Sequence, residues 1–167
     1  AQLLLVAVED MDEMETTFVD KRDGGGWTAL HGAARSGEVD CVKLLLEAHA
    51  DATLLTNGGD SPLVLAVTSN HPAAVHMLLH SAPADRKERC AALRIAARHG
   101  FVSIAHLLIR SKTSVDTESN TAKSPLMLAS QHGHDDVVEI LLRHRADPGR
   151  ANSVDETALS LALACDN

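Results

Sequence analysis

Aromatic residues are scarce in this chain: Phe18, Trp27 and Phe101 are the only ones among 167 residues, and tyrosine is absent. Long hydrophobic runs are missing as well, since no apolar stretch approaches the roughly 18 residues that cross a bilayer. The first residues, AQLLLVAVEDMDE, are acidic and therefore unlike the basic start of a signal peptide. We expect a soluble protein without membrane insertion, whose core is built mainly from alanine, leucine and valine.

Cysteine is also rare. The three cysteines, Cys41, Cys90 and Cys165, are an odd number and lack the spacing of metal ligands. Cys41 falls within an apolar helical face. We therefore expect free thiols in a reducing intracellular compartment, cytoplasmic, nuclear or both, rather than disulfide bonds.

Catalytic signatures are missing despite ten histidines and 23 acidic residues. The chain has no GxSxG, HExxH, glycine-rich phosphate loop, EF-hand pattern or CxxC, so it predicts no enzyme, no catalytic residue and no cofactor. The segment HGHDD at 132–136 offers metal-ligand residue types. However, Gly133 fits a turn and His134 opens a helix, so the pattern favours structure over a metal site. His31 is likewise interpreted as a hydrogen-bonding brace rather than a general base.

What the chain does contain is a repeated segment. The stretch GWTALHGAARSGEVDCVKLLL at 26–46 is followed by SPLVLAVTSNHPAAVHMLL, AALRIAARHGFVSIAHLLI, SPLMLASQHGHDDVVEILL and the shorter TALSLALACDN. Equivalent leucines are separated by 33, 30, 33 and 33 residues: Leu30, Leu63, Leu93, Leu126 and Leu159. Such a period predicts a solenoid of stacked units instead of one closed core.

Each unit predicts two helices joined by a tight turn. A hydroxyl residue precedes the first helix and can accept a hydrogen bond from a helix N–H, with proline tolerated just after it. Glycine, or a residue that tolerates a left-handed backbone, ends that helix. The hydroxyl residues are Thr28, Ser61, Ser124 and Thr157, and the turn residues are Gly37, Asn70, Gly100, Gly133 and Asp166.

The second helix of each unit carries an apolar stripe at the three- and four-residue spacing of one helix face. The predicted stripes are Val42-Leu45-Leu46, Val75-Leu78-Leu79 and Val138-Leu141-Leu142. We expect this helix to pack outward of the first one.

The segments TALHGAA and SPLMLAS, together with the period, resemble the T-P-L-H-x-A phrase of ankyrin repeats. The resemblance covers about residues 24–167 and implies an all-α ankyrin-repeat solenoid of stacked helix-turn-helix units joined by hairpin-like loops. The third unit departs from it, with Ala91 in place of a hydroxyl, Arg94 in place of the histidine and a shorter spacing. Its fingertip geometry is therefore left open. We expect one array over residues 1–167: a degenerate leading repeat at 1–22, repeats at 23–55, 56–85, 86–118 and 119–151, and a truncated repeat at 152–167.

The resemblance implies a non-catalytic module, a scaffold or adaptor, that binds a partner protein or peptide on a concave face formed by hairpin tips and first helices. We expect a monomeric, elongated array, excised from a longer protein because the chain lacks an initial Met and ends inside a helix. Two alternatives stay open. The GGWT hairpin locally resembles that of an ankyrin-bearing, oligoadenylate-activated ribonuclease, which favours a small-ligand or nucleotide sensor. A structural spacer in a multidomain protein is the other.

Trp27 is the first candidate binding residue, because it is predicted at a hairpin tip between permissive glycines. There it is available as an anchor for a partner's apolar pocket. The other interpretation is that it folds over its own hairpin and covers the leading unit. On the binding hypothesis the contact strip continues through Arg35, Asp60, Thr68, Arg98 and Gln131.

Charge is distributed unevenly along the chain, whose net charge is −8. Residues 1–20 hold six acids and no Lys or Arg, whereas 86–112 hold seven Lys or Arg and only one acid. We predict that basic groups share one face and bind an acidic segment of a partner, although a solvated surface is the simpler reading. Nucleic acid is disfavoured, since the chain is acidic and no aromatic cluster accompanies the basic stretch. The basic candidates are Lys87 and Arg89 at a fingertip, Arg98 and His99 at the end of a first helix, and Lys123 and His132 in the next unit.

Overall fold

The computed structural model describes residues 18–81, 84–116 and 123–165. Those residues form nine α-helices and no β-strand, which confirms the all-α prediction. The chain divides into two compact units, Ala1–Pro83 and Ala84–Asn167.

In the first unit, the described residues 18–81 contain four helices in two layers. They are α1 (Ala29–Ser36), α2 (Val39–Glu47), α3 (Pro62–Thr68) and α4 (Pro72–Ser81). Helix α1 packs against α3, and α2 packs against α4, while each first helix also contacts the second helix of its own repeat. First helices thus form one layer and second helices the other.

The described part of the second unit, residues 84–116 and 123–165, repeats this arrangement with five helices. They are α5 (Arg86–His99), α6 (Val102–Arg110), α7 (Pro125–Gln131), α8 (Asp135–Arg143) and α9 (Ala158–Cys165). Helices α5, α7 and α9 follow one another in the first layer, and α6 packs against α8 in the second.

The predicted hydroxyl caps start the first helices. Ser61 Oγ accepts a hydrogen bond from Val64 N at 3.2 Å, and Ser124 Oγ accepts one from Met127 N at the same distance. Pro62 and Pro125 take the first helical positions, where a missing N–H costs little. The sequence-based helix starts are therefore confirmed in these two repeats.

Helix α5 departs from the pattern. First helices elsewhere have seven or eight residues, but α5 has 14 and begins at Arg86. Because Ala91 cannot cap a helix, the start moves back to Asp85, whose Oδ1 accepts a hydrogen bond from Glu88 N at 2.6 Å. The intervening residues are helix formers without glycine or proline. The expectation that Lys87 and Arg89 lie on a fingertip is therefore wrong: both are helical.

The predicted turn residues adopt the left-handed backbone. Gly37, Gly100 and Gly133 have φ of 74°, 72° and 66°, and Asn70 has 56°. Asp166, predicted for the last repeat, lies outside the described residues. Gly100 serves a second purpose, since a Cβ there would lie 2.7 Å from Nδ1 of His134 in the next repeat. Glycine at this position therefore provides both a backbone conformation and space.

The apolar stripes are partly as predicted. Val75 and Leu78 are buried in α4. In α8, however, the buried residues are Val137, Ile140 and Leu141, whereas Leu142 is exposed. The predicted α8 stripe, Val138-Leu141-Leu142, is therefore correct only at Leu141. Neighbouring residues can both fit a three- and four-residue spacing, so the sequence alone does not decide which of them faces the core.

Side chains of two first helices hydrogen-bond to backbone carbonyls of loops that follow them in the chain. His31 Nε2 lies 3.0 Å from Leu54 O, and Arg94 Nε donates to Lys123 O at 3.0 Å. These residues hold equivalent repeat positions, so the bracing role predicted for His31 is confirmed and Arg94 performs it in the third repeat.

Carboxylates tie the loops together at a second point. The Asp20 carboxylate accepts a hydrogen bond from Asp51 N at 3.0 Å, and Asp116 accepts one from Asp147 N at 3.3 Å. The two contacts have the same sequence separation of 31 residues. Each unit therefore contains the same backbone-to-carboxylate link.

Cys41 and Cys90 are free thiols, as expected for both. None of the helices found in the described ranges combines the length and the apolar character needed to span a bilayer.

Leu126→Ala is expected to destabilise the protein by about 2 to 5 kcal/mol, because Leu126 is 2% exposed and its truncation leaves a cavity between helices. Leu159 is the matched control: it holds the equivalent position but is 68% exposed, so Leu159→Ala should change stability little. Urea unfolding followed by far-UV circular dichroism measures both. Equal effects would contradict the assigned repeat register.

Gly100→Ala and Gly133→Ala separate the two roles of glycine. Both positions have positive φ, but a Cβ at Gly133 meets no described atom within 4 Å. Gly133→Ala should cost about 1 to 2 kcal/mol for the left-handed backbone, and Gly100→Ala should cost more because it also displaces His134. Thermal melting of the two variants tests this, and a smaller loss for Gly100→Ala would show that the His134 contact does not constrain the turn.

Candidate functional site

Trp27 ends a tight hairpin tip in the first unit. Asp23 N donates to Trp27 O at 2.9 Å, and Trp27 N donates back to Asp23 Oδ1 at 2.8 Å. Gly26 has φ of 76°, and a Cβ there would lie 2.5 Å from Asn57 Oδ1 of the following tip. The tip is therefore fixed from both sides, and the backbone position of Trp27 is well defined.

The indole of Trp27 is half-buried and folds back toward α1. The Trp27 ring centroid is 6.1 Å from the His31 ring centroid, and the Arg35 guanidinium carbon lies 5.3 Å from the Trp27 ring centroid. A Cβ on Gly25 would meet Trp27 Cδ1 at 2.9 Å, so the ring also covers its own hairpin. The other interpretation of Trp27 is contact with the leading repeat at 1–22, of which residues 1–17 lie outside the described residues. The Trp27 cluster, defined as Trp27, His31 and Arg35, is thus a partly exposed aromatic ring with a cation on one face.

His31 forms the buried floor of the Trp27 cluster. Thr28 N donates to His31 Nδ1 at 3.1 Å, and Leu54 O can only accept a hydrogen bond from Nε2. These partners require a neutral ring with its hydrogen on Nε2. Burial lowers the pKa of His31, which favours the same neutral form.

Asp60 and Thr68 are placed differently from each other. Asp60 closes the second tip, where its backbone O accepts a hydrogen bond from Thr56 N at 2.9 Å. Its negative charge acts to raise the pKa of His31, against the larger effect of burial. Thr68 ends α3 exposed, but its hydroxyl donates to Val64 O and Leu65 O, both at 3.0 Å. Asp60 therefore lies near the Trp27 cluster, whereas the Thr68 hydroxyl proton is used within its own helix.

Four predicted residues of the second unit come together in a basic cluster, defined as Arg98, His99, Lys123 and His132. Partial desolvation lowers the pKa of His132, and the positive charges of Arg98, His134, His99 and Lys123 lower it further. The His99 ring stacks on Phe101 at 5.5 Å between centroids. The protonated form of His132 is thus repelled by the neighbouring positive charges. An anion bound beside His132 would offset that repulsion.

Lys123 is the anchored member of the basic cluster. Its Nζ donates to Gln131 Oε1 at 3.0 Å and lies 3.4 Å from Glu156 Oε2. Hydrogen bonding from Asn152, with a smaller contribution from Lys123, lowers the pKa of Glu156. Gln131, predicted as part of the contact strip, therefore lies beside Lys123, and the Lys123 charge already has an acidic neighbour.

Lys87 and Arg89 lie apart from the basic cluster. At 1.5 Å per helical residue, Lys87 is about 16 Å along α5 from Arg98. Lys87 is on the same helix face as Arg98, but Arg89 is nine positions away, which places it on the opposite face. Arg89 also donates from Nη1 to Ala84 O at 2.7 Å. The prediction that all six basic groups share one face is therefore wrong for Arg89.

Sequence reasoning missed two members of this region. His134 stacks near His132, with 6.2 Å between ring centroids, and its Nε2 lies 3.0 Å from Arg98 O. Glu156 lies on a later loop, and only the folded structure brings it close to Lys123. His134 was detectable as part of HGHDD, whereas nothing in the sequence links Glu156 to Lys123.

Both clusters have the chemistry of binding surfaces. Within the ranges 18–81, 84–116 and 123–165, no group of three or more His, Cys, Asp or Glu side chains is arranged to hold a metal ion. The Trp27 cluster offers an aromatic edge beside a cation, and the basic cluster offers positive charge to an anionic group.

Comparison with known proteins agrees with the repeat architecture. A family model for ankyrin repeats (3 copies) matches residues 1–89 and 81–152. Human neurogenic locus notch homolog protein 1 is 33% identical over 159 residues, which is 93% of this chain and 6% of that protein. The Hydra vulgaris tyrosine-protein kinase HTK16 is 31% identical over 126 residues, or 72% of this chain and 17% of the kinase.

A third relative is the ankyrin repeat and KH domain-containing protein mask-1 of Caenorhabditis elegans, 32% identical over 129 residues, or 74% of this chain and 5% of mask-1. The chain therefore spans a small fraction of the length of these relatives, and the similarity concerns their repeat regions. Together with the two-layer helical repeats, the family match shows that the chain belongs to the ankyrin-repeat family.

Proposed function

We propose that this chain is a non-catalytic protein-interaction module, a scaffold or adaptor that binds a segment of a partner protein on the face formed by hairpin tips and first helices. Ankyrin repeats are generally protein–protein interaction modules and generally not catalysts. The observation that carries the proposal is the Trp27 cluster, a partly exposed aromatic ring on a rigid tip. An intracellular location and a monomeric array are part of the same proposal.

The geometry of Trp27 supports an anchoring role. Its tip is fixed by hydrogen bonds to Asp23, so little conformational freedom is lost when a partner binds. Tryptophan is enriched among the residues that dominate interface energies, and its ring combines a large apolar area with an N–H donor. Arg35 adds a charge beside the ring that can pair with a partner carboxylate.

The basic cluster supports an acidic partner segment. Arg98 and His99 occupy the last turn of α5, where cations are also favoured by the helix dipole. His132 experiences repulsion from Arg98, His99 and Lys123, which an incoming carboxylate would convert to attraction. We propose that this charge acts mainly on the association rate and the binding register.

The nucleotide-sensor alternative has less support from the geometry. A base that stacked on Trp27 would need a free ring face, but Arg35 lies 5.3 Å over the ring and His31 lies on its inner side. Arg22, the nearest basic group in the sequence, uses its side chain on Gly26 O and Leu55 O. A thermal-shift screen with nucleotides distinguishes this function from protein binding.

Trp27→Ala is expected to weaken binding to a captured partner by about 2 kcal/mol or more. The partner is isolated with the protein as affinity bait and then titrated in purified form by calorimetry. Phe18→Ala is the matched control, because Phe18 is an aromatic residue of the same unit that is 70% exposed. Unchanged affinity of Trp27→Ala, or loss of its folded circular dichroism signal, would assign Trp27 to the scaffold.

Association with an acidic partner segment should slow as salt is added, since the attraction is screened. Arg98→Gln should lower the association rate measured by stopped flow. Arg143→Gln removes the same charge from α8, where the exposed Arg143 pairs with Glu139 at 2.6 Å, and should leave the rate nearly unchanged. A salt-independent rate, or equal slowing by both variants, would contradict a specific role for the basic cluster.

A further inference from the structure

One pair of equivalent positions lies on the exposed face of each described second helix: Lys43 and Glu47 in α2, His76 and His80 in α4, His106 and Arg110 in α6, and Glu139 and Arg143 in α8. The residues lie four apart, so their side chains are neighbours on the helix surface. In α2 and α8 the pair is ionic: Lys43 Nζ is 3.8 Å from Glu47 Oε1, and Arg143 Nη2 is 2.6 Å from Glu139 Oε1. In α4 the equivalent residues are His76 and His80, both exposed.

The histidine pair cannot repeat the ionic interaction. Both residues carry the same charge when protonated, and like charges four residues apart destabilise a helix. Their rings are stacked instead, with centroids 5.4 Å apart and planes inclined by 21°. Across the described ranges neither ring has another recorded partner, so helix stability does not explain this pair as it explains Lys43 and Glu47.

Two imidazoles one helical turn apart match the requirements of a transition metal. Nitrogen ligands bind zinc at about 2.1 Å in a tetrahedral arrangement, so two such nitrogens lie about 3.4 Å apart. Cβ atoms four residues apart on a helix are about 5 to 6 Å apart, which rotation of two exposed side chains can convert to that separation. Imidazole favours zinc, nickel and copper over magnesium or calcium.

We propose that His76 and His80 form a two-histidine chelating site for a divalent late transition metal ion, Zn²⁺, Ni²⁺ or Cu²⁺, on the exposed face of α4. Water completes the coordination, since the described residues bring no third His, Cys, Asp or Glu ligand to these rings. The site is independent of the proposed protein-binding function. Sequence reasoning looked for larger ligand sets and predicted no metal, whereas comparison of equivalent helix positions identifies this pair.

The test uses Ni²⁺ as a paramagnetic probe of the whole chain, followed by proton–nitrogen correlation spectra. At substoichiometric Ni²⁺ and neutral pH, amide signals of α4 around His76 and His80 should broaden first. Calorimetry should give one site per chain.

The repeat itself provides the matched control variant. His76→Lys combined with His80→Glu reproduces the pair of α2, so it should preserve folding and abolish the α4 site. Each single glutamine variant, His76→Gln or His80→Gln, should lower affinity by about a hundredfold if both rings chelate one ion. His132→Gln, in the other histidine-rich region, should leave the α4 site intact.

Two results would overturn the proposal. One is first broadening at another part of the chain, such as the signals around His132 and His134. The other is wild-type affinity in the paired Lys and Glu variant, with circular dichroism showing that it is folded. The second result leaves the protein-binding function unaffected, because the paired Lys and Glu variant changes neither Trp27 nor the basic cluster.

Discussion

The first helices of each unit approach one another through alanine, and the rest of the structure depends on this close packing. Side chains in this layer are fully buried although they are small: Ala34, Ala66, Ala96, Ala97 and Ala129. A larger residue at such a site would separate neighbouring repeats and strain a tightly packed core. Such a layer of small side chains agrees with the scarcity of aromatic residues in the sequence.

Close packing of the first helices places the residues proposed to bind a partner protein at helix ends and at the tips. Trp27 precedes α1, Arg98 and His99 end α5, and His132 follows α7. Of these residues, Arg98, His99 and His132 are exposed and Trp27 is half-buried. The braces made by His31 and Arg94 then hold the following loops in place, so that exposed groups are presented on an ordered backbone.

The sequence predicted the parts of the fold that depend on local chemistry. The caps at Ser61 and Ser124 and the left-handed turn at Asn70 follow from one residue and its neighbours. The length of α5 was harder to predict, because its N-cap is Asp85, six residues before Ala91, which holds the usual capping position. Of the candidate sites, the charge of the basic cluster was visible in the sequence. The extent of the basic cluster could not be predicted from the sequence. Only the folded chain brings Glu156 close to Lys123 and places Arg89 on the opposite helix face.

The single tryptophan also determines what an optical experiment can see. With one Trp and no tyrosine, intrinsic fluorescence above the weak phenylalanine signal comes from Trp27 alone. That signal reports the first unit, whereas the ellipticity of the helices reports both. If the two units unfold at different denaturant concentrations, the two probes will give different transitions. The placement of Trp27 thus makes the cooperativity between the two halves of the chain directly measurable without any label.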